Sequence, residues 1–231
     1  MANRAGPKIV TDSLVFCLDA ANTRSYSGSG DTAYNTALTS AIGATKTAGI
    51  SYTSLNPATF IASASSNYLL SDYTLASGTS FTVCMWFKRQ ATAYWSALFA
   101  NEVWNSATGY VAYFSSATSL IFSRGGGSSS ITYSNAGFAS SSFNFYAFVK
   151  NPSGTNSIIY INGIGVTSGS ISDVTPTKPF IINNRWLNAG TAPSNADSRE
   201  SQFSQILVYS KALSAAEVLQ NYNSTKKRYG L

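Results

Sequence analysis

Apolar and polar residues alternate with a period of two through most of the chain, the pattern of half-buried strands rather than helices. The clear runs are SLVFCLDA (13–20), SFTVCMWFKR (80–89), SALFANEV (96–103), GYVAYF (109–114), SLIFSR (119–124), SITYS (130–134), FNFYAFVK (143–150), SIIYING (157–163), PFIINN (179–184) and SQILVYS (204–210). Weaker ones are TFIAS (59–63) and NYLLS (67–71). Clusters of Gly, Pro, Asn and Ser separate them, as in RGGGSSS (124–130) and NPSGTNS (151–157), which have the length of hairpin loops. Asn162-Gly163 predicts one tight hairpin over 157–168, because both central residues of a type I′ turn need positive φ. Ten or more short strands and one helix predict an all-β fold of two packed antiparallel sheets. Within SFTVCMWFKR, Phe81, Val83, Met85 and Phe87 share one face, and Thr82, Cys84, Trp86 and Lys88 the other. The first face should meet the opposite sheet. The second, with Trp86, should be an outer face that is partly covered or concave.

Two stretches break the alternation. Residues 22–56 are rich in Ser, Thr, Gly and Ala with little periodicity, and are expected to make a long surface excursion of the kind that mediates contacts. Residues 214–223 read as a helix. Ser214 and Glu217 form an S-x-x-E capping box, Leu213 and Val218 a hydrophobic staple, and Val218, Leu219 and Tyr222 a narrow apolar stripe. Lys226, Lys227 and Arg228 follow at the C-terminal end, where the helix dipole favours cations. The helix is expected to close one edge or end of the sandwich. The basic end, Lys226, Lys227, Arg228 and Tyr229, is the candidate assembly contact together with 22–56.

Composition narrows the function. Of 231 residues, 44% are hydrophobic and 13% aromatic, enough for a sizeable core, and one domain over 1–231 is expected. Only 10% are charged, so the surface is built from neutral polar residues. The net charge of +6 is scattered rather than gathered in a patch, which argues against nucleic-acid binding. No run of about 18 apolar residues exists, which argues against a bilayer-spanning helix. The N-terminus lacks the apolar core of a secretory signal, so synthesis in the cytoplasm is expected and Cys17 and Cys84 should be buried free thiols.

The order SFTVCMWFKR, NFYAFVKNPSGTNSIIYINGIGV, FIINNRW and FSQILVYSKALSAAEVLQNYN resembles the laminin-G-like, concanavalin A-like lectin/glucanase family over about residues 58–222, with YING and ALSAAE the most specific pieces. That resemblance implies a jelly-roll sandwich with one short C-terminal helix. The opening GPKIVTDSLVFCLDAANTRSYSGSG and the ending NYNSTKKRYGL further resemble small virion proteins of tailed bacteriophages. This implies a structural protein on the virion surface, a capsid decoration protein or a tail or fibre component, made in the host cytoplasm. Its partners would be other virion proteins and further copies of itself, as a trimer or dimer.

Candidate chemistry is sparse. The chain has no His, which removes His-based general bases, triads and zinc sites. Relatives in the glucanase branch carry E-x-D-x-x-E, which is missing here; Asp197 and Glu200 are the only close acid pair, in a polar segment where solvated loop charges are expected. No enzyme activity and no cofactor are therefore expected. Calcium needs six to eight oxygens; Asp72, Asp173, Asn183 and Asn184 could contribute, but no spacing forces them together. Sugar binding needs an exposed aromatic beside amides or Arg. The candidates are Asn184, Arg185 and Trp186 first, then Trp104, Asn105 and Trp95, against core packing for any single Trp. Such a site would make the protein an adhesin for host surface glycans.

Overall fold

The structure, a computed structural model, describes residues 8–37, 43–47, 49–64, 66–75, 77–89, 95–103, 105–127, 129–135, 142–187, 193–194 and 200–231. Among these, sixteen strands form two eight-stranded antiparallel sheets. The first sheet, A, contains β1 (Leu14–Asp19), β4 (Ile50–Thr53), β5 (Thr59–Ala62), β7 (Phe81–Arg89), β12 (Asn144–Lys150), β13 (Asn156–Ile161), β14 (Ile164–Ser170) and β16 (Ser201–Tyr209). Its order is β14-β13-β12-β7-β16-β5-β4, with β1 also on β16. The second, B, contains β2 (Thr32–Tyr34), β3 (Gly43–Lys46), β6 (Leu69–Ser71), β8 (Ser96–Ala100), β9 (Tyr110–Phe114), β10 (Ser119–Arg124), β11 (Ser130–Ser134) and β15 (Ile181–Ile182), in the order β11-β10-β9-β8-β15-β6-β3-β2.

Strand β16 organises sheet A. Its Ser201–Phe203 segment pairs with β5 and its Gln205–Tyr209 segment with β1, on the side away from β7. A register shift between Phe203 and Ile206 lets one strand serve both partners. Twelve strands coincide with the alternating runs, and the Asn162-Gly163 hairpin forms as expected, with φ of 52° and 82°. The 22–56 stretch differs from expectation. It contributes β2 and β3 to one edge of sheet B and β4 to an edge of sheet A, and Tyr26 is buried against Tyr52 and Phe60 in the main core. These strands are three or four residues long and carry small side chains such as Ala33 and Ala44, too little for a period of two to show.

Phe81, Val83, Met85 and Phe87 enter the core between the sheets, as their shared face requires. The opposite face of β7 is covered over Thr82, Cys84 and Trp86, as a partly covered outer face was expected to be, while Lys88 at its end stays partly exposed. Cys84 and Trp86 sit in a second buried cluster with Phe145, Ala147, Val149, Leu207 and Tyr209, roofed by Leu213 and Val218. The helix α1 (Ala215–Thr225) and a 3₁₀ turn at Lys226–Tyr229 therefore lie over the outer face of sheet A rather than plugging an edge or end of the sandwich. Cys17 and Cys84 are free, and each faces Leu207 from opposite sides. Two strand spacings, roughly 9.6 Å, exceed the ~7 Å that a disulfide can bridge. Burial pushes their thiols up to about 11 and about 12.

The capping box is formed: Glu217 N donates to Ser214 Oγ and Ser214 N to Glu217 Oε2 at 2.8 Å. Lys211 joins Glu217 at 2.7 Å and also Asp12. The helix then ties down both ends of the described chain. Asn221, fully buried, accepts from Val10 N at 2.8 Å and donates to Tyr209 Oη at 3.0 Å. Trp86 Nε1 donates to Thr225 Oγ1 at 2.8 Å, and the Tyr229 ring stacks on the indole at 3.9 Å and 15°. Arg228 donates from Nη1 to both oxygens of the mostly buried Asp19, at 2.7 and 2.9 Å. Of the expected contact residues, Arg228 and Tyr229 are thus engaged inside the fold, while Lys227 is exposed.

Tyr229→Ala should lower unfolding stability by about 2–4 kcal/mol and red-shift tryptophan emission in the native state, because it uncovers Trp86; an unchanged urea midpoint would contradict the packing. The Glu217 carboxyl is held below its ordinary value by the Lys211 hydrogen bond and then by Ser214 N–H. A depressed carboxyl stabilises the fold above its unfolded value and the contribution fades as pH falls through the folded one. The drop in Tm between about pH 5 and pH 3 should therefore be smaller in Glu217→Gln than in the parent protein, measured by thermal melts.

Candidate functional site

Two of the six sugar-site candidates, Trp95 and Arg185, meet on the outer face of sheet B. Trp95 immediately precedes β8, and Tyr113 of β9 is paired with Ala97 of β8, facing away from the core that holds Ala112 and Phe114. The Trp95 and Tyr113 rings stack at 4.5 Å and 7°, and the Arg185 guanidinium lies 4.9 Å from the Trp95 ring centre. Arg185, Trp95 and Tyr113 so form one column. Trp95 and Tyr113 are each half-buried, leaving aromatic surface to solvent. Burial pushes the Tyr113 phenol up, Arg185 opposing and Glu102 reinforcing the shift. Trp95 is held at φ 59°, and Asn105 and Asn183 at 60° and 66°. For a bulky side chain such as Trp the left-handed region is a true outlier.

The segment expected to lead the site is mostly internal. Trp186 is 8% exposed, packs with Val103 and Ile181 against Tyr68 and Leu70, and donates from Nε1 to Pro179 O at 3.1 Å. It cannot offer a stacking plane. Asn184 is fully buried, donates to Ser194 O at 2.7 Å and accepts from Arg185 N at 2.8 Å. Asn183 donates to Asn67 O and accepts from Ser201 Oγ, at 2.9 and 2.8 Å. Both asparagines pin the loop after β15, so of this trio only Arg185 reaches the aromatic column. Asn105 is exposed in a turn of its own, and Trp104 lies outside the described residues, as does Asp197. Tyr113 was not singled out from the sequence, though its place opposite Ala112 and Phe114 in GYVAYF marks an outward aromatic.

The oxygens considered for calcium are engaged separately. Asp173 is paired with the buried Lys150 at 2.6 Å, Asn183 and Asn184 are bonded as above, and Asp72 is exposed beside β6. Among the described residues no three His, Cys, Asp or Glu side chains are placed to share a metal ion. None of the described helices is long and apolar enough to cross a membrane.

Two antiparallel sheets, a covering C-terminal helix and an aromatic–arginine column on the opposite sheet define a lectin-like jelly roll. The profile of the concanavalin A-like lectin/glucanases superfamily matches residues 62–219, and the chain belongs to that superfamily. No curated protein matches the chain in sequence. Among solved structures, the fold is similar to the botulinum neurotoxin serotype D binding domain, with a TM-score of 0.68, 13% identity, and 92% of this chain and 51% of that one covered. It is similar also to the binding domain of Paraclostridial Mosquitocidal Protein 1, with a TM-score of 0.66, 15% identity and coverages of 93% and 52%. The botulinum neurotoxin serotype D ligand binding domain in complex with N-acetylneuraminic acid gives 0.67, 14%, 92% and 51%. The chain spans about half the length of these structures, and the likeness is one of fold.

Trp186→Ala should cost about 3–5 kcal/mol of unfolding stability, whereas Trp95→Ala, at a half-exposed ring, should cost only about 1 kcal/mol. Urea titrations of the two variants check the order; the reverse order would put Trp186 at the surface.

Proposed function

We propose that the protein is a non-enzymatic, lectin-like recognition module displayed on a bacteriophage virion, with the Arg185–Trp95–Tyr113 column as its sugar-facing surface. The observation that carries this reading is Trp95, a half-exposed indole kept in left-handed backbone between a guanidinium and a phenol. Such strain costs on the order of 1–3 kcal/mol and collects at functional sites. The half-buried Trp95 and Tyr113 rings offer aromatic surface to the apolar face of a sugar ring, and Arg185, itself 8% exposed, holds the indole in place from within. Membership of a lectin superfamily supports the reading, as does the N-acetylneuraminic acid bound to a structural neighbour.

The virion setting, as capsid decoration protein or tail or fibre component, rests on the resemblance of the opening and closing segments to phage virion proteins. There the tail contacts a neighbouring virion protein through Lys226 and Lys227, while Arg228 and Tyr229 hold the tail in shape. The copies assemble as a trimer or dimer. Absence of catalysis is supported by the lack of His in the chain and by the engagement of Asp12, Asp19, Asp173 and Glu217 with Lys or Arg.

On a glycan array the parent protein should bind a defined set of host-surface glycans, and Trp95→Ala should weaken that binding about tenfold or more, equal to roughly 1.4 kcal/mol. No binding at high protein concentration overturns the recognition role. Immunogold labelling of purified particles should place the protein on virions; its presence only in the soluble fraction overturns the virion role.

A further inference from the structure

We infer that the outer face of sheet A carries a second ligand site, for an acidic sugar, on a row of side chains from Lys88 through Gln202 to Ile61. The helix and its 3₁₀ turn cover this face over Cys84, Trp86, Leu207 and Tyr209, and the cover ends where Tyr229 meets Phe143 at 5.2 Å. Just beyond that edge, Lys88 of β7 is paired with Gln202 of β16, and Gln202 with Ile61 of β5. These three side chains therefore stand in line across three strands at about 4.8 Å spacing. Phe143 closes one end of the row. Leu55, Asn56 and Pro57 of the β4–β5 connection close the other, and the groove between measures about 410 Å³, within the range of small-molecule sites.

The chemistry of the groove is unused by the free protein. Among the described residues no hydrogen bond or ion pair engages the Lys88 ammonium or the Gln202 amide, and Glu200, exposed just before β16, does not pair with Lys88. Beneath them Thr59, 1% exposed, has a hydroxyl with no partner. Such a group costs about 1–3 kcal/mol while unsatisfied. Beside these polar atoms stand the half-buried Phe143 ring and Leu55, 76% exposed. A cation, an amide and a hydroxyl next to an aromatic wall complement a ligand with a carboxylate, adjacent hydroxyls and an apolar ring face. A neutral sugar leaves the cation without a partner, and a simple inorganic anion leaves the apolar wall without one.

This site is independent of the Trp95 column, on the opposite sheet, and one titration separates the two. Backbone amide shifts are followed while methyl β-glucuronide, or methyl β-glucoside, which bears CH₂OH in place of the carboxylate, is added up to tens of millimolar. The glucuronide should shift amides at 55, 56, 58–61, 87–88, 143 and 202 in a saturable way, and the glucoside should bind about tenfold more weakly, as expected for loss of one charge-assisted contact. Lys88→Gln should abolish the preference, Lys88→Arg should keep it, and Trp95→Ala should leave it unchanged. Equal affinity for the two sugars, shifts confined to 95, 113 and 185, or no saturable shift overturns the site.

Discussion

The structure depends on the covering of Trp86. A strand whose two faces are both apolar has to be roofed twice, and β7 is such a strand. The opposite sheet supplies one roof, and the C-terminal helix with its 3₁₀ turn the other. The second roof is short and amphipathic and would not persist alone in water; its stability comes from the surface it covers. That explains how densely it is fastened. The capping box fixes its start, Asn221 joins it to Val10 and to β16, Thr225 and Tyr229 hold the indole, and Arg228 reaches the buried Asp19. Loosening any one of these contacts exposes part of the same apolar face.

Asymmetry between the sheets follows. Sheet A is a core element with two cores, and its strands β7, β12 and β16 are buried along nearly their whole length. Sheet B faces a single large core, so its outer face has to be polar, covered by loops or used. Around β15 the loop at 183–186 covers it with Trp186 and two bonded asparagines. Around β8 and β9 it is left as a half-open aromatic column. The two candidate sites share one physical origin: each lies on the outer face of a sheet where a covering segment stops.

Much of this was legible in the residues, and the limits have a physical reason. Period-two alternation identifies strands well when they are five residues or longer and carry large side chains, as in β7 and β12. It fails for β2, β3 and β4, whose pairing is set by the edges they join. The capping box and the Asn-Gly turn are local codes and form as read. The Asn-Arg-Trp stretch shows the opposite case. Residue types announce hydrogen-bonding and stacking capacity but not the direction in which it points, and here Asn184 and Trp186 turn inward while Arg185 turns toward Trp95. Trp95, outside any alternating run, is half-buried at the surface of sheet B in left-handed backbone, which no period of two could announce.

The closing basic cluster makes the same point about charge. Lys226, Lys227 and Arg228 are consecutive in the chain, but the 3₁₀ turn sends Arg228 toward Asp19 and leaves Lys227 in water, with Lys226 over the Tyr222 ring at 5.2 Å. Arg228 therefore acts as a fastener, since its fork of donors suits a mostly buried carboxylate, and its charge is matched locally. Only the two lysines add to the field outside the molecule. A partner attracted to this end meets a pair of ammonium groups on a turn that the Tyr229–Trp86 contact fastens to the fold.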